Sequence, residues 1–288
     1  MKKLLSLFLC ILLLGGCAAT YDGPTETKYA LTEYVVDHRY TGIFDSHEYT
    51  DRWLYAYDIY GNRVREMEYR DGELRSVTNM KYDDRGNLIS QKSWDHTKWI
   101  PLPDRGRKHT YDDQGRVLTT VYLDGWGRET SRSTYTYDDE ANTYTWESDD
   151  GTQNLYYLDE NGNELRVVGN YGAETVYEYD DRGNRTGWVG YQDGVRADSY
   201  QARYDDQDRQ IWGGRYSAAG ELESETLWEY DDEANTITTR RPDGQIRIEY
   251  RDGDGRLHMI EDYDTEGELT MVQQYYYQEI QVPANREE

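Results

Sequence analysis

The sequence predicts an all-β fold: a repetitive antiparallel β-hairpin meander of about sixteen to twenty strands, curled into a twisted open sheet or short solenoid. Three observations lead there. A hexapeptide typified by Tyr179-Asp180-Asp181-Arg182-Gly183-Asn184 recurs, with near copies starting at Tyr57, Tyr82, Tyr111, Tyr137, Tyr204, Tyr230 and Tyr263 and weaker ones at Leu123, Leu158, Tyr216 and Arg251. Turn signals return roughly every 11 to 13 residues, so turns of ~4 residues leave strands of ~7 to 9. No apolar stripe of helical period follows the first segment, so almost no helix is expected.

The hexapeptide is turn chemistry. Asp at its second position accepts backbone hydrogen bonds as the first corner of a type I turn. Gly at its fifth takes positive φ without a Cβ clash, as a three- or four-residue hairpin loop requires. The leading Tyr closes the incoming strand, and a second ring often sits two residues earlier, at Tyr55, Tyr135, Tyr177 and Trp228, on the same sheet face. Minor turns fall between units at Asp71-Gly72, Asp150-Gly151, Asp193-Gly194 and Asp243-Gly244.

A longer repeat overlies the short one. Tyr137–Thr143 and Tyr230–Thr236 are the same heptapeptide, Tyr-Asp-Asp-Glu-Ala-Asn-Thr, 93 residues apart, and the units at Tyr111 and Tyr204 share that separation. In both copies Ala141 or Ala234 replaces the glycine and Asn142 or Asn235 follows. Asn tolerates the left-handed region where Ala does not, so the positive-φ corner is expected one residue later. The stretch from Trp94 to Arg107 breaks the rhythm and reads as the most irregular loop.

Four regions follow along the chain. Residues 1–16 have a basic start (Lys2, Lys3), an apolar run from Leu4 to Leu14 and small residues before Cys17. That run is too short to span a bilayer, which takes ~20 apolar residues. The sequence Leu14-Gly15-Gly16-Cys17 resembles the bacterial lipobox. The resemblance implies cleavage before Cys17, acylation of its thiol, and export to the outer or periplasmic side of a cell membrane, held by lipid. Residues 17–28 read as the lipidated Cys and a tether, 29–280 as the repeat domain and 281–288 as a polar tail. Apart from Cys10 and Cys17 the chain has no cysteine, so packing and ladder hydrogen bonds must hold the domain without disulfides.

Composition narrows the partners. A net charge of −25 argues against nucleic acid, whose phosphates need a basic footprint. Only 36% of residues are hydrophobic, but 30 are Tyr, so Tyr is expected to supply the buried surface with its hydroxyl at a polar partner. The five His lie outside zinc spacings, and no nucleophile elbow, P-loop or dinucleotide fingerprint is present. Paired Asp residues recur in nearly every unit, which makes them turn residues before acid–base pairs. Asp252-Gly253-Asp254-Gly255 lacks the later ligands of a calcium loop. No enzyme activity, cofactor or metal is therefore expected. The tryptophans are the candidate ligand contacts: Trp94, Trp99, Trp126, Trp188 and Trp212. Alternation puts Trp188 and Trp212 on opposite strand faces.

The units at Tyr57–Asn62, Tyr82–Asn87, Tyr111–Arg116 and Tyr179–Asn184 resemble the YD repeat of Rhs-type and wall-associated bacterial proteins and of teneurins, over about residues 53 to 277. The resemblance implies β-hairpins that curl into a shell or spiral. Large members of that family end in a self-cleaving core and a toxin, which have no counterpart here, so encapsulation and toxin delivery are not expected. A local stretch, Tyr156–Asn163, resembles the hairpin of choline- or glucan-binding wall repeats. The expected role is a membrane-anchored surface protein with a non-enzymatic module for protein interaction or scaffolding; the alternative is a glycan or cell-wall binder using exposed aromatics.

Overall fold

A computed structural model describes residues 25–41, 46–97 and 102–283. Cys17 and Trp99 lie outside the described residues.

The twenty strands follow one another along the chain. They are β1 (Thr25–Thr41), β2 (Ser46–Tyr57), β3 (Arg63–Arg70), β4 (Glu73–Tyr82), β5 (Leu88–Asp95), β6 (Leu102–Tyr111), β7 (Val117–Asp124), β8 (Glu129–Asp138), β9 (Thr143–Ser148) and β10 (Gln153–Leu158). They continue with β11 (Glu164–Gly169), β12 (Ala173–Tyr179), β13 (Arg185–Gln192), β14 (Val195–Tyr204), β15 (Gln210–Tyr216), β16 (Leu222–Asp231), β17 (Thr236–Arg240), β18 (Ile246–Arg251), β19 (Leu257–Tyr263) and β20 (Leu269–Pro283). A single 3₁₀ turn at Asn170–Gly172 is the helical content among the described residues.

Each strand pairs antiparallel with its neighbours in sequence, and β1 also pairs with β20. The sheet is therefore a closed 20-stranded barrel, which corrects the expected open sheet or solenoid. Closure runs from Thr25↔Pro283 to His38↔Met271, so the ladder begins before and ends after the expected 29–280 domain. The physical reason is the edge: an open meander would leave β1, 17 residues, and β20, 15 residues, with unpaired N–H and C=O groups, and pairing them removes both edges. The seam is also bonded through side chains. Tyr29 Oη donates to Glu279 at 2.8 Å and Tyr34 Oη to Gln273 at 2.6 Å, while the Tyr34 ring stacks on Trp53 and Tyr275.

The hexapeptides form the turns as their residues require. In the unit at Tyr179, the Asp180 N–H donates to the Asn184 carbonyl and the Gly183 N–H to that of Asp180. Asp180 Oδ1 accepts the N–H groups of Arg182 and Asn184, and Oδ2 accepts the Asn184 amide. Gly183 lies at φ 86°. In the two alanine units the left-handed residue is indeed Asn142 (φ 50°) or Asn235 (φ 53°). Those two hairpins pair cleanly at Asp138↔Thr143 and Asp231↔Thr236, whereas most other units carry a bulge at their first residue. Where the glycine is replaced by Asp208, that residue takes φ 61° itself.

The leading tyrosines close the rim. Tyr57, Tyr82, Tyr111, Tyr137, Tyr179, Tyr204 and Tyr230 each donate their hydroxyl to a backbone carbonyl on the preceding strand: Leu31, Arg63, Leu88, Val117, Glu164, Arg185 and Gln210. A ring lies along the wall and its polar end satisfies a carbonyl near the strand terminus. Few apolar side chains are buried; they include Val36, Val77, Met80, Ala202 and Ile260. Stability comes from the ladder and from rings laid along each sheet face rather than from a central apolar core. The irregular loop expected from Trp94 to Arg107 is in large part hairpin: Trp94 pairs with Pro103 and Gln91 with Arg107.

Candidate functional site

Strand direction divides the turns between two rims. Even-numbered strands end at one rim, where the units at Tyr57, Tyr82, Tyr111, Tyr137, Leu158, Tyr179, Tyr204, Tyr230 and Arg251 lie. Thr25 and Pro283 lie at this rim too. Its turns are joined laterally. Arg116 bonds Asp112 within its own turn and Asp139 in the next, with its guanidinium 4.2 Å from the Tyr137 ring. The equivalent group 93 residues on does the same: Arg209 bonds Asp205 and Asp232 and lies 4.3 Å from the Tyr230 ring. Hydrogen bonds hold Asp180 and Asp159, in two other turns of this rim, acidic. The Asn184 amide keeps Asp180 below the usual carboxylate range, and Asn163 does so for Asp159. They are structural carboxylates, consumed by their own turns.

The opposite rim differs. Trp126, in the β7–β8 turn, is 75% exposed; Tyr171, in the 3₁₀ turn at φ 61°, is 87% exposed; Val195, beginning β14, is 69% exposed. Trp126 is among the contacts expected from the sequence, and Tyr171 is not. The available signal was Asn170-Tyr171-Gly172, a turn whose central residue must point outward.

The remaining candidate tryptophans do not converge. Trp188 faces Tyr177 and Tyr200 across the ladder on the tyrosine face. Trp212 lies on the other face, as the alternation requires: its Nε1 donates to Glu225 at 2.9 Å, Arg203 stacks 4.5 Å from its ring, and the ring covers Gly214. Trp94 pairs with Val77, with the Lys92 ammonium 5.3 Å from its ring. These three pack on the wall, leaving Trp126 as the free ring among the described candidates.

A concavity of about 750 Å³ opens at this opposite rim beside the seam. Its lining includes His38, Arg39, Tyr49, Arg241, Arg247 and Asp262. Around it lies a polar network. Asp51, 4% exposed, receives Arg70 through Nε (2.7 Å) and Nη2 (3.0 Å), and His38 Nε2 is 3.4 Å from its Oδ2. The His38 ring stacks on Tyr49 at 4.2 Å, and Arg70 covers Tyr49 at 4.8 Å. Arg247 grips Asp262 by two bonds of 2.7 and 3.0 Å. The Asp262 hydrogen bond raises the Arg247 pKa further. No group of three or more metal-ligating side chains occurs among the described residues.

No protein-family model matches the sequence, and no curated protein matches it. Several solved structures resemble it. A porin-like protein from Bacteroides uniformis ATCC 8492 is 14% identical, with 88% of this chain and 99% of that one covered, at a TM-score of 0.35. TcdB2-TccC3 without its hypervariable C-terminal region is 12% identical; the match covers 94% of this chain but 21% of that one, at a TM-score of 0.25. A protein of unknown function from Bacteroides fragilis NCTC 9343 is 16% identical over 53% of this chain, at a TM-score of 0.18. Likeness at these scores carries no functional weight.

Proposed function

We propose that this protein is a lipid-anchored envelope protein of YD-repeat type whose closed barrel is a non-enzymatic scaffold, binding a protein partner at the rim away from the membrane. The observation that carries this reading is the placement of Thr25 and Pro283 together at one rim while the exposed rings of Trp126 and Tyr171 sit at the other. Seven residues lie between Cys17 and Thr25, and the eight steps from one to the other reach at most ~28 Å when extended. An acylated Cys17 therefore holds the rim of Thr25 and Pro283 near the bilayer and presents the other rim outward.

Strand length supports anchoring over spanning. β17 has 5 residues, and β9, β10, β11 and β18 have 6 each. Transmembrane strands need ~9–11 residues, and five rise only ~17 Å. Charges also fall in mid-strand on both faces: Lys92, Arg132 and Arg166 on one, Glu66, Arg247 and Glu249 on the other. A lipid-facing wall needs an apolar band, and a midplane Arg or Lys there costs ~2–4 kcal/mol.

Two measurements test the reading. Cys17→Ser should move the protein from the membrane to the soluble fraction; unchanged membrane association defeats the anchor. Pulldown from native membranes should recover a defined protein partner, lost with the Trp126→Ala/Tyr171→Ala double variant. A glycan array or peptidoglycan pulldown that binds in place of a protein would favour the glycan-binding reading instead.

A further inference from the structure

We infer that the concavity beside the seam binds a small anionic ligand through an oxyanion group, carboxylate or phosphate, held between Arg39 and Arg241. The site does not depend on how the protein is anchored or on what docks at Trp126.

Charge pairing sets these two arginines apart. The chain has 57 acidic and 32 basic residues, so a guanidinium has many carboxylates to choose from. Most arginines near the rims take one, as Arg116, Arg209, Arg132 and Arg256 do. Among the described residues Arg39 forms no ion pair, although Glu48 is its register partner on β2. Arg241 donates Nη1 to the neutral Gln245 Oε1 at 3.0 Å and likewise forms no ion pair. Two unneutralised guanidiniums facing one hollow in so acidic a molecule place local positive potential there.

The acids in and beside the same hollow bond to other groups. Asp262 is gripped by Arg247 at two oxygens. Asp264 Oδ1 accepts the N–H groups of Glu266 and Glu268 within its turn. Asp51, behind His38, is occupied by Arg70. Asp262 and Asp51 are thus engaged by Arg247 and Arg70 and Asp264 Oδ1 by its own turn, and among the described residues none of the three forms an ion pair with Arg39 or Arg241. A planar guanidinium offers paired N–H donors that match two oxygens of a carboxylate or phosphate. Arg39 comes from the end of β1 and Arg241 from the β17–β18 turn, and ring closure brings the two to one hollow.

The hollow is large enough for more than a bare ion. The stacked His38 and Tyr49 rings form part of its wall, so the rest of a ligand meets an aromatic edge rather than open water. Phosphate esters and acidic sugars both offer the required oxyanion.

Titration calorimetry on the full-length protein in detergent, at low ionic strength, tests the site with inorganic phosphate and with glucuronate as probes. At least one should bind saturably. Binding should weaken at least tenfold in the Arg39→Gln/Arg241→Gln double variant, with circular dichroism unchanged, and persist in Arg85→Gln at the opposite rim. Binding of phosphate alone assigns the site to phosphates, and binding of glucuronate alone assigns it to carboxylates. Binding of neither probe overturns the proposal, as does equal affinity in the double variant. Should the double variant fail to fold, Arg39→Gln alone is read by the same titration, and unchanged affinity overturns the proposal.

Discussion

At the residue scale, one aspartate and one left-handed residue make each turn. Asp180 takes three hydrogen bonds with its two oxygens, while Gly183 at φ 86° lets the chain reverse. No Cβ clash with a neighbour occurs at Gly183, so the cost of Gly183→Ala is backbone strain alone, about 1–2 kcal/mol. Asn142→Ala should cost a similar amount, because Asn142 holds the left-handed place in its unit. Ala141→Ser, beside it, should be nearly neutral. Urea unfolding of the three variants checks the ordering, and an Ala141→Ser loss as large as that of Asn142→Ala would refute the assignment of the corner. The turn was legible from residue types alone, down to the one-residue shift in the alanine units.

At the element scale, the seam between β1 and β20 distinguishes a barrel from a curled sheet. Beside it, Asp51 on β2 bonds Arg70 on β3 and approaches His38 on β1, so one carboxylate ties three strands. Asp51→Ala leaves the Arg70 guanidinium without its partner. Because the Arg70 side chain is 45% exposed, water takes over part of that bond, and the expected loss is about 2 kcal/mol rather than the 3–5 of a wholly buried pair. Native-state hydrogen exchange should show the loss as faster exchange in β1, β2 and β3. Protection unchanged there would mean the pair is not part of the seam's stability. The sequence offered no sign of the β1–β20 seam, since Tyr34 and Gln273 lie at opposite ends of the chain and bond only because the ring closes.

At the scale of the whole molecule, the wall is a field of half-buried tyrosines. Burial, with Glu66 next, pushes Tyr55 up to about 12; burial raises Tyr57, Tyr82, Tyr111, Tyr137 and Tyr230 as well. A phenol with a raised folded-state pKa binds its proton more tightly when folded. Its contribution to stability is complete below the unfolded value of ~10 and is lost as pH rises through the folded one. Stability should therefore fall steeply between pH 10 and 12, cooperatively across the barrel, as followed by circular dichroism with tyrosinate absorbance. Tyrosinate appearing gradually below pH 10 with the fold intact would contradict this. The turn aspartates act in the opposite direction: Asp159 and Asp180 are held below their usual range, and their contribution is lost as pH falls through their folded pKa values.

Local chemistry was written in the sequence because its causes are local: Asp and Gly at fixed spacing make a turn, and alternation separates Trp188 from Trp212. The number of strands followed from the spacing of those turns. Closure did not, because it depends on the sum of twist and stagger over twenty strands, which no single unit states. The placement of the candidate site follows from closure in the same way. Arg39 and Arg241 share a hollow, and Thr25 shares a rim with Pro283, only because the two ends of the sheet meet. The hairpin and its repetition follow from residue types and their spacing; the ring follows from the meeting of the two chain ends, since an unpaired strand edge is removed only by a partner far along the chain.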